Sequence, residues 1–383
     1  MHIQDLATPA ALVDTQRMQR NIARMQARMN TLGVAFRPHA KTTKSVAITQ
    51  MQIDAGARGI TVSTLKEAEQ FFAAGITDIV YAVGMAAPKL KQAAALMARG
   101  CQLKIVADST ACAAAIVGYG QQHGVVFEVW IEVDTDGHRA GVKPLGDELI
   151  EIGQMLHEST QGGAGGAQLG GVMTHAGASY ECDTPQALQA IAELERSLCV
   201  QAAQRLRAAG LPCPVVSVGS TPTALSATQL DGVTEVRAGV YVFFDLVMAN
   251  VGVCSTHDVA LSVLTTVIGH QADKGWAIVD AGWMAMSRDR GTQTQKHDYG
   301  YGQVCNAAGV CIDGYTVSSA NQEHGIVSLA GDQPDTAITQ RFPIGTQLRI
   351  LPNHACATGA QFPQYHAVAG DEVGAAWGRF YGW

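Results

Sequence analysis

The chain carries little charge: 15% of its 383 residues are Asp, Glu, Lys or Arg, and their sum is −7 with no basic cluster. Nucleic acid, which is held by clustered Lys and Arg, is therefore not an expected partner. No apolar run approaches the roughly 20 residues of a membrane span. The segment Met1-His2-Ile3-Gln4-Asp5 lacks both the basic start and the apolar stretch of a secretory leader. Nine cysteines are present, an odd number with no Cys-x-x-Cys pair. That excludes a disulfide framework and leads us to expect reduced thiols in a cytoplasmic protein. What the chain does have is glycine, 41 residues of it, within a 47% hydrophobic composition. Its length suits a barrel with one further domain.

Taken in order, the chain starts extended at Thr8-Pro9-Ala10-Ala11-Leu12-Val13. Asp14 then caps a helix to about Leu32, with Met18, Ile22, Met25 and Met29 at helical spacing. Apolar runs follow at 34–37, 59–63, 78–83, 103–107, 127–133, 169–174, 215–218 and 235–240, alternating with amphipathic segments. Eight strands alternating with helices predict an α/β fold of the (β/α)8 TIM-barrel type over residues 13–245. The Gly-rich stretch 161–168 reads as a flexible surface insertion. From about Leu246 the runs at 259–269, 276–280, 315–319, 325–329, 346–351 and 374–381 are β-rich with Gly, Asn and Asp turns. Residues 246–383, joined by 1–12, are thus expected to form a mostly β domain.

Polar residues gather after the predicted barrel strands, where such barrels place their chemistry. The first strand delivers His39 and Lys41, the second Ser63 and Thr64, the fifth Arg139, the sixth His175, the seventh Gly219, Ser220 and Thr221, and the eighth Gly239 and Tyr241. A lysine at such a rim can serve as a nucleophilic amine. Gly219 and Gly239 would let backbone approach an anion, and Ser220, Thr221 and Tyr241 add hydroxyl donors. A phosphate facing a reactive lysine suggests a phosphorylated aldehyde, with pyridoxal 5′-phosphate as the candidate cofactor. Ordinary turn chemistry is the competing reading. His175 is either a hydrogen-bonded rim residue or a ring that stacks on the cofactor. Arg139 is either a donor to cofactor or substrate or a surface ion-pair partner. In the β domain, His354 and Cys356 stand at i and i+2 and would point the same way in extended backbone. An imidazole and a thiolate suit a divalent metal such as Zn, Co, Ni or Mn. Asp280, Glu323 and His324 could supply further contacts. Lys44 reads as solvated, and His39 has no assigned role.

Four motifs then become familiar: Pro38-His39-Ala40-Lys41-Thr42, Thr174-His175-Ala176-Gly177, Gly219-Ser220-Thr221-Pro222-Thr223 and Pro352-Asn353-His354-Ala355-Cys356. Together they resemble the D-threonine aldolase and D-serine dehydratase family, pyridoxal-phosphate enzymes with an alanine-racemase-like barrel and a β domain. The likeness runs through both domains. It implies that Lys41 carries the cofactor and that its phosphate lies near Thr221, Gly239 and Tyr241. It also implies that Tyr180 is near the cofactor and that His354 and Cys356 bind a divalent metal (Mn, Co, Ni, Zn or Mg). The implied reaction is loss of the β-hydroxyl from a 3-hydroxy-D-amino acid, with 3-hydroxyaspartate or D-serine as substrate. Aldol cleavage of D-threonine is the alternative, and a pyridoxal-phosphate carrier is the non-enzymatic one. The resemblance further implies a head-to-tail homodimer.

Overall fold

The computed structural model describes residues 1–160, 165–331 and 334–383, and the chain divides into two compact units. The first strand, β1 (Ala10–Asp14), belongs to the β-rich unit described below. The helix Thr15–Thr31 follows it, and the Asp14 carboxylate accepts from the Arg17 N–H at 2.9 Å, as the capping pattern anticipates.

One unit comprises Met25–Lys41, Thr49–Gly239 and Gly382–Trp383. Its eight parallel strands are β2 (Ala35–Pro38), β3 (Ile60–Val62), β4 (Asp78–Gly84), β5 (Gln102–Ala107), β6 (Val126–Glu132), β7 (Gly166–Met173), β8 (Val215–Val218) and β9 (Glu235–Ala238). They are ordered β2-β9-β8-β7-β6-β5-β4-β3. The two ends of this sheet meet at a single bridge, His39 opposite Thr61. There the His39 N–H donates to Ala238 O and the Ala40 N–H to Thr61 O, both at 2.8 Å. The result is the expected (β/α)8 barrel, closed at its seam by the backbone of a histidine that had no role in the sequence reading. The Gly-rich stretch is corrected in part: Gly166–Gln168 open β7 rather than a loop, because parallel pairing with Val126–Glu128 satisfies their backbone. Residues 161–164 of that stretch lie outside the described residues.

Helices between the strands bury one stripe each. In Glu148–Glu158 the buried residues include Leu149, Ile152 and Leu156, the i, i+3, i+7 pattern. Inside the barrel, Val80, Val106, Trp130 and Met173 form one apolar cluster. Below it lies a charged plug: Arg37 pairs with Asp78 at 2.8 Å and Glu235 at 3.0 Å, and Lys104 with Asp78 at 2.6 Å. Each charge has a partner, which is the condition for burying it at all.

The other unit comprises Met1–Arg24, Thr42–Ile48 and Val240–Tyr381. Besides β1 it contains β10 (Leu261–Gln271), β11 (Trp276–Val279), β12 (Gln303–Asn306), β13 (Cys311–Ala320), β14 (Gly325–Leu329), β15 (Gln347–Leu351), β16 (Gln364–Ala369) and β17 (Glu372–Gly378). The sheet runs β11-β14-β13-β12-β15-β10-β1-β16-β17, and β10 also pairs with β11, so six of the strands close into a ring. All pairs are antiparallel except β1 with β16. Strands β12 and β16 were not expected: each is a short run next to Gly, Asn or Pro, too brief to show a period of two. Nothing in the sequence sets Thr42–Ile48 apart as a piece of this unit. Among the described residues no helix is long and apolar enough to cross a membrane.

Candidate functional site

In the barrel unit, Lys41 lies in the turn directly after β2 and the His39 bridge, and its side chain is exposed. Lys44, in contrast, is half-buried with a left-handed φ of 44°, and its carbonyl accepts from the Phe380 N–H at 2.8 Å. The sequence reading had Lys44 as a solvated lysine. Tertiary pairing with the C-terminal segment, invisible in a local window, holds Lys44 in place.

After β7, His175 places Nδ1 3.0 Å from the Gly219 carbonyl. A carbonyl only accepts, so Nδ1 carries the hydrogen. Burial lowers the His175 pKa, and the charges of Lys41, Arg139 and Arg237 lower it further, against the Gly219 bond, to about 3. The ring is therefore neutral near pH 7, with Nε2 left as an acceptor. His39 is likewise held well below its ordinary range by burial and by the charges of Lys41 and Arg237. Tyr180, in the 3-10 turn Gly177–Glu181, has its ring 6.1 Å from that of His175. Arg139 is the surface partner of Glu132 at 3.6 Å, with its side chain 58% exposed.

Gly219 has φ +134°, and a Cβ there would sit 2.1 Å from the Arg237 carbonyl oxygen. The glycine is thus demanded by close approach of β9, and not only by any anion. Ser220 caps the short helix Thr221–Ser226, its hydroxyl accepting from the Thr223 N–H at 3.2 Å and meeting the Ser179 hydroxyl at 2.8 Å. Ser63 and Thr64 are used in the same way: Thr64 caps Leu65–Ala73, and the Ser63 N–H donates to Glu67. Gly239 follows β9, and Tyr241 is buried in the 3-10 turn Val240–Val242 of the other unit.

Two barrel residues escaped the sequence reading. Glu195, 2% exposed, accepts from the Ala176 N–H and the Gly219 N–H at 3.0 Å each. It therefore ties together the residues that hold His175. Burial raises its pKa against these bonds and that of Thr223. A signal existed, because Glu195 falls on the buried stripe Leu188, Ala192, Cys199 and Leu206 of the helix Pro185–Ala208. Arg237 sits in β9, whose four residues are all buried, and donates to Ser217 Oγ and Thr174 O. Glu195→Ala leaves two buried amides without an acceptor. We expect a loss of about 2–4 kcal/mol in stability, read by thermal unfolding, with Glu195→Gln losing less because it keeps one acceptor oxygen. Equal stability of all three proteins would contradict this reading of Glu195.

In the β-rich unit, His354 is extended, with φ −135° and ψ 106°, but Cys356 is helical, so the two do not alternate along a strand. His354 is the N-cap of the short helix Ala355–Gly359 and Cys356 is in its first turn. The pairing by strand alternation is therefore corrected: a helix start, pinned from outside, brings them together. Asp245 does the pinning, accepting from the Ala355 N–H at 2.9 Å and the Met248 N–H at 3.0 Å. Asn353 donates to Gly300 O at 2.7 Å. His354 Nδ1 meets Asp289 Oδ2 at 2.6 Å, and the Cys356 thiol contacts Thr42 Oγ1 at 3.3 Å.

Burial alone would lower the His354 pKa. Cys356, Asp289 and Asp245 outweigh it and raise the value to about 11. This is a pocket of negative potential with a nitrogen and a sulfur donor, and such a donor set fits a divalent cation. Among the described residues no group of three or more His, Cys, Asp and Glu side chains could hold a metal. The supporting carboxylate is Asp289. Asp280 instead accepts from Thr8, Thr265 and the Thr266 N–H, and Glu323 and His324 are exposed.

Residues 13–247 match the alanine racemase N-terminal domain family, and residues 260–368 the putative serine dehydratase domain family. The chain is 66% identical over 382 residues to D-threo-3-hydroxyaspartate dehydratase of Delftia sp. (strain HT23), covering 99% of this chain and 98% of that one. It is 29% identical to D-serine dehydratase of Dictyostelium discoideum over 96% of this chain and 95% of that one. The solved structure of the Delftia dehydratase superposes with a TM-score of 0.97 at 64% identity, covering 100% of both chains. A further structure of that enzyme, a cysteine-to-alanine variant, is described as the metal-free form, with the same TM-score, identity and coverage. The chain therefore belongs to the alanine-racemase-like family of D-serine dehydratases and aldolases.

Proposed function

We propose that this protein is a pyridoxal-phosphate- and divalent-metal-dependent lyase that removes the β-hydroxyl of a 3-hydroxy-D-amino acid. Our preferred substrate is D-threo-3-hydroxyaspartate, giving oxaloacetate and ammonia. The observation that carries this reading is the 66% identity, over nearly the whole chain, to a dehydratase of that name. The electronegative His354–Asp289–Cys356 cluster supports the metal requirement. A homodimer in a reducing, cytoplasmic setting completes the proposal.

Lys41 is the attachment point for the cofactor, on an exposed turn that gives its amine room to enter and leave. Gly219, Ser220, Thr221, Gly239 and Tyr241 are assigned to the phosphate, and His175, Tyr180 and Arg139 to the ring and its substituents. When bound, the cofactor supplies an electron sink for the α-carbon, and the cation supplies Lewis acidity at the β-oxygen. Once free, the Lys41 amine takes the proton from Cα. His175, fixed by Gly219 and kept neutral, offers Nε2 as an acceptor without adding a positive charge beside that amine. His354 and Cys356 would hold the cation, and Asp289, on His354 Nδ1, would fix the tautomer that leaves Nε2 as the free nitrogen.

The test is a parallel assay of ammonia, keto acid and aldehyde on D-threo-3-hydroxyaspartate, D-serine and D-threonine. Oxaloacetate with ammonia is the expected outcome. Glycine with an aldehyde would assign carbon–carbon cleavage instead, and bound cofactor with no turnover of any of them would favour a carrier. A further expectation concerns Asp289. Asp289→Asn should weaken metal binding by about 10- to 100-fold, measured by calorimetric titration of metal into metal-free protein. An unchanged affinity would remove Asp289 from the site.

A further inference from the structure

Away from both clusters, the hairpin of β12 and β13 sets two cysteines face to face. Cys305 and Cys311 are direct cross-strand partners, with their sulfurs 3.6 Å apart. Directly opposed residues of an antiparallel pair have Cα atoms about 4.5–5.5 Å apart, within the span a disulfide bridges. Cys305 is buried and Cys311 partly exposed, so Cys311 is the thiol more open to solvent. The turn between them is braced: the Asn306 N–H donates to Val310 O at 2.9 Å, and Arg17 donates to Gly309 O at 3.1 Å and Val259 O at 3.1 Å. The strands are therefore held in this register whatever the state of the thiols.

We propose that Cys305 and Cys311 form a dithiol modification site that reacts with low-molecular-weight disulfides of the glutathione class. The Cys311 thiolate attacks one sulfur of the oxidant, forming a mixed disulfide and expelling one thiolate. Cys305, giving up its proton, then attacks the Cys311 sulfur, forming the Cys305–Cys311 bond and expelling the second thiolate. Two protein thiols are oxidised by two electrons in all, and the oxidant leaves as two reduced thiols carrying the two protons. The environment supports this order of events. Cys311 is held below the ordinary thiol range by the bond from Cys305, the Thr256 hydroxyl and the charges of His257 and Arg17, against its burial. Cys305 is pushed up by the same bond and by burial. The thiolate, the attacking species, thus resides on the exposed sulfur.

The experiment uses the full-length, cofactor-loaded protein with oxidised glutathione, then alkylation and peptide mapping. The expected result is a Cys305–Cys311 cross-link, so that these two of the nine thiols resist alkylation until a reductant is added. Cys305→Ser should retain glutathione on Cys311, whereas Cys311→Ser should leave Cys305 unmodified. The proposal is overturned if Cys305 and Cys311 both remain alkylatable once the partly exposed Cys182 has been modified. It is equally overturned if Cys305 takes up glutathione in Cys311→Ser.

Discussion

Lys41→Ala should lose the visible absorbance of bound pyridoxal phosphate and at least about 10³-fold in turnover. The magnitude follows from the two functions proposed for Lys41 being lost together: covalent attachment of the cofactor, and proton transfer at Cα, which alone contributes roughly 10²–10⁴-fold. Lys44→Ala is the matched control. Its side chain is partly buried and its backbone is held by Phe380, so the absorbance should persist despite a modest loss of stability at a left-handed φ. A Lys41→Ala protein that keeps the visible band, measured after extensive dialysis, would move the attachment point to another lysine. The spectrum separates this result from simple misfolding, which circular dichroism reads independently.

The second large effect is expected on removal of metal. Chelation with EDTA should stop elimination while leaving the visible spectrum of the cofactor in place, and Mn, Co, Ni, Zn or Mg added singly should restore it to different extents. Hydroxide is a poor leaving group. A Lewis acid at its oxygen stabilises the developing charge by several kcal/mol, and each 1.36 kcal/mol is tenfold in rate. The fall should therefore be at least roughly 10³-fold. His354→Ala and Cys356→Ala should each reproduce most of it, since either removes one of the two donors proposed for the cation. Full turnover in a sample shown to be metal-free would sink the Lewis-acid role while leaving the assignment of Lys41 untouched.

The barrel strands were legible because each is a short apolar run bounded by a helix stripe, and the structure shifts their ends by only a residue or a few. Strands β12 and β16 were not, because a strand of four or six residues beside turn residues has no period to detect. Lys41, His175 and the residues after β8 stood out because they occupy strand ends, the one place where a barrel's sequence order maps onto its chemistry. His354 and Cys356 were paired by strand alternation, which did not hold, since Cys356 lies in a helix start pinned by Asp245, more than a hundred positions earlier in the chain. Asp289 and Glu195 act through contacts at long sequence separation, and a local window shows them only as a turn aspartate and a glutamate on a helix. Of these, Glu195 alone carried a warning, being charged on an otherwise apolar stripe.

The placement of β1 has a consequence for how the protein is made. This strand emerges early in synthesis, yet its hydrogen-bonding neighbours are β10 and β16, with Leu12 opposite Ser262 on one edge and His366 on the other. The β10 edge of β1 cannot be satisfied until residues 261–264 have left the ribosome, and the β16 edge not until almost the whole chain has. An apolar strand with both edges open is prone to pair with other chains. Production of soluble protein should consequently depend on what shields residues 10–14 during translation, and a chain stopped before Gln364 would leave one edge of β1 bare.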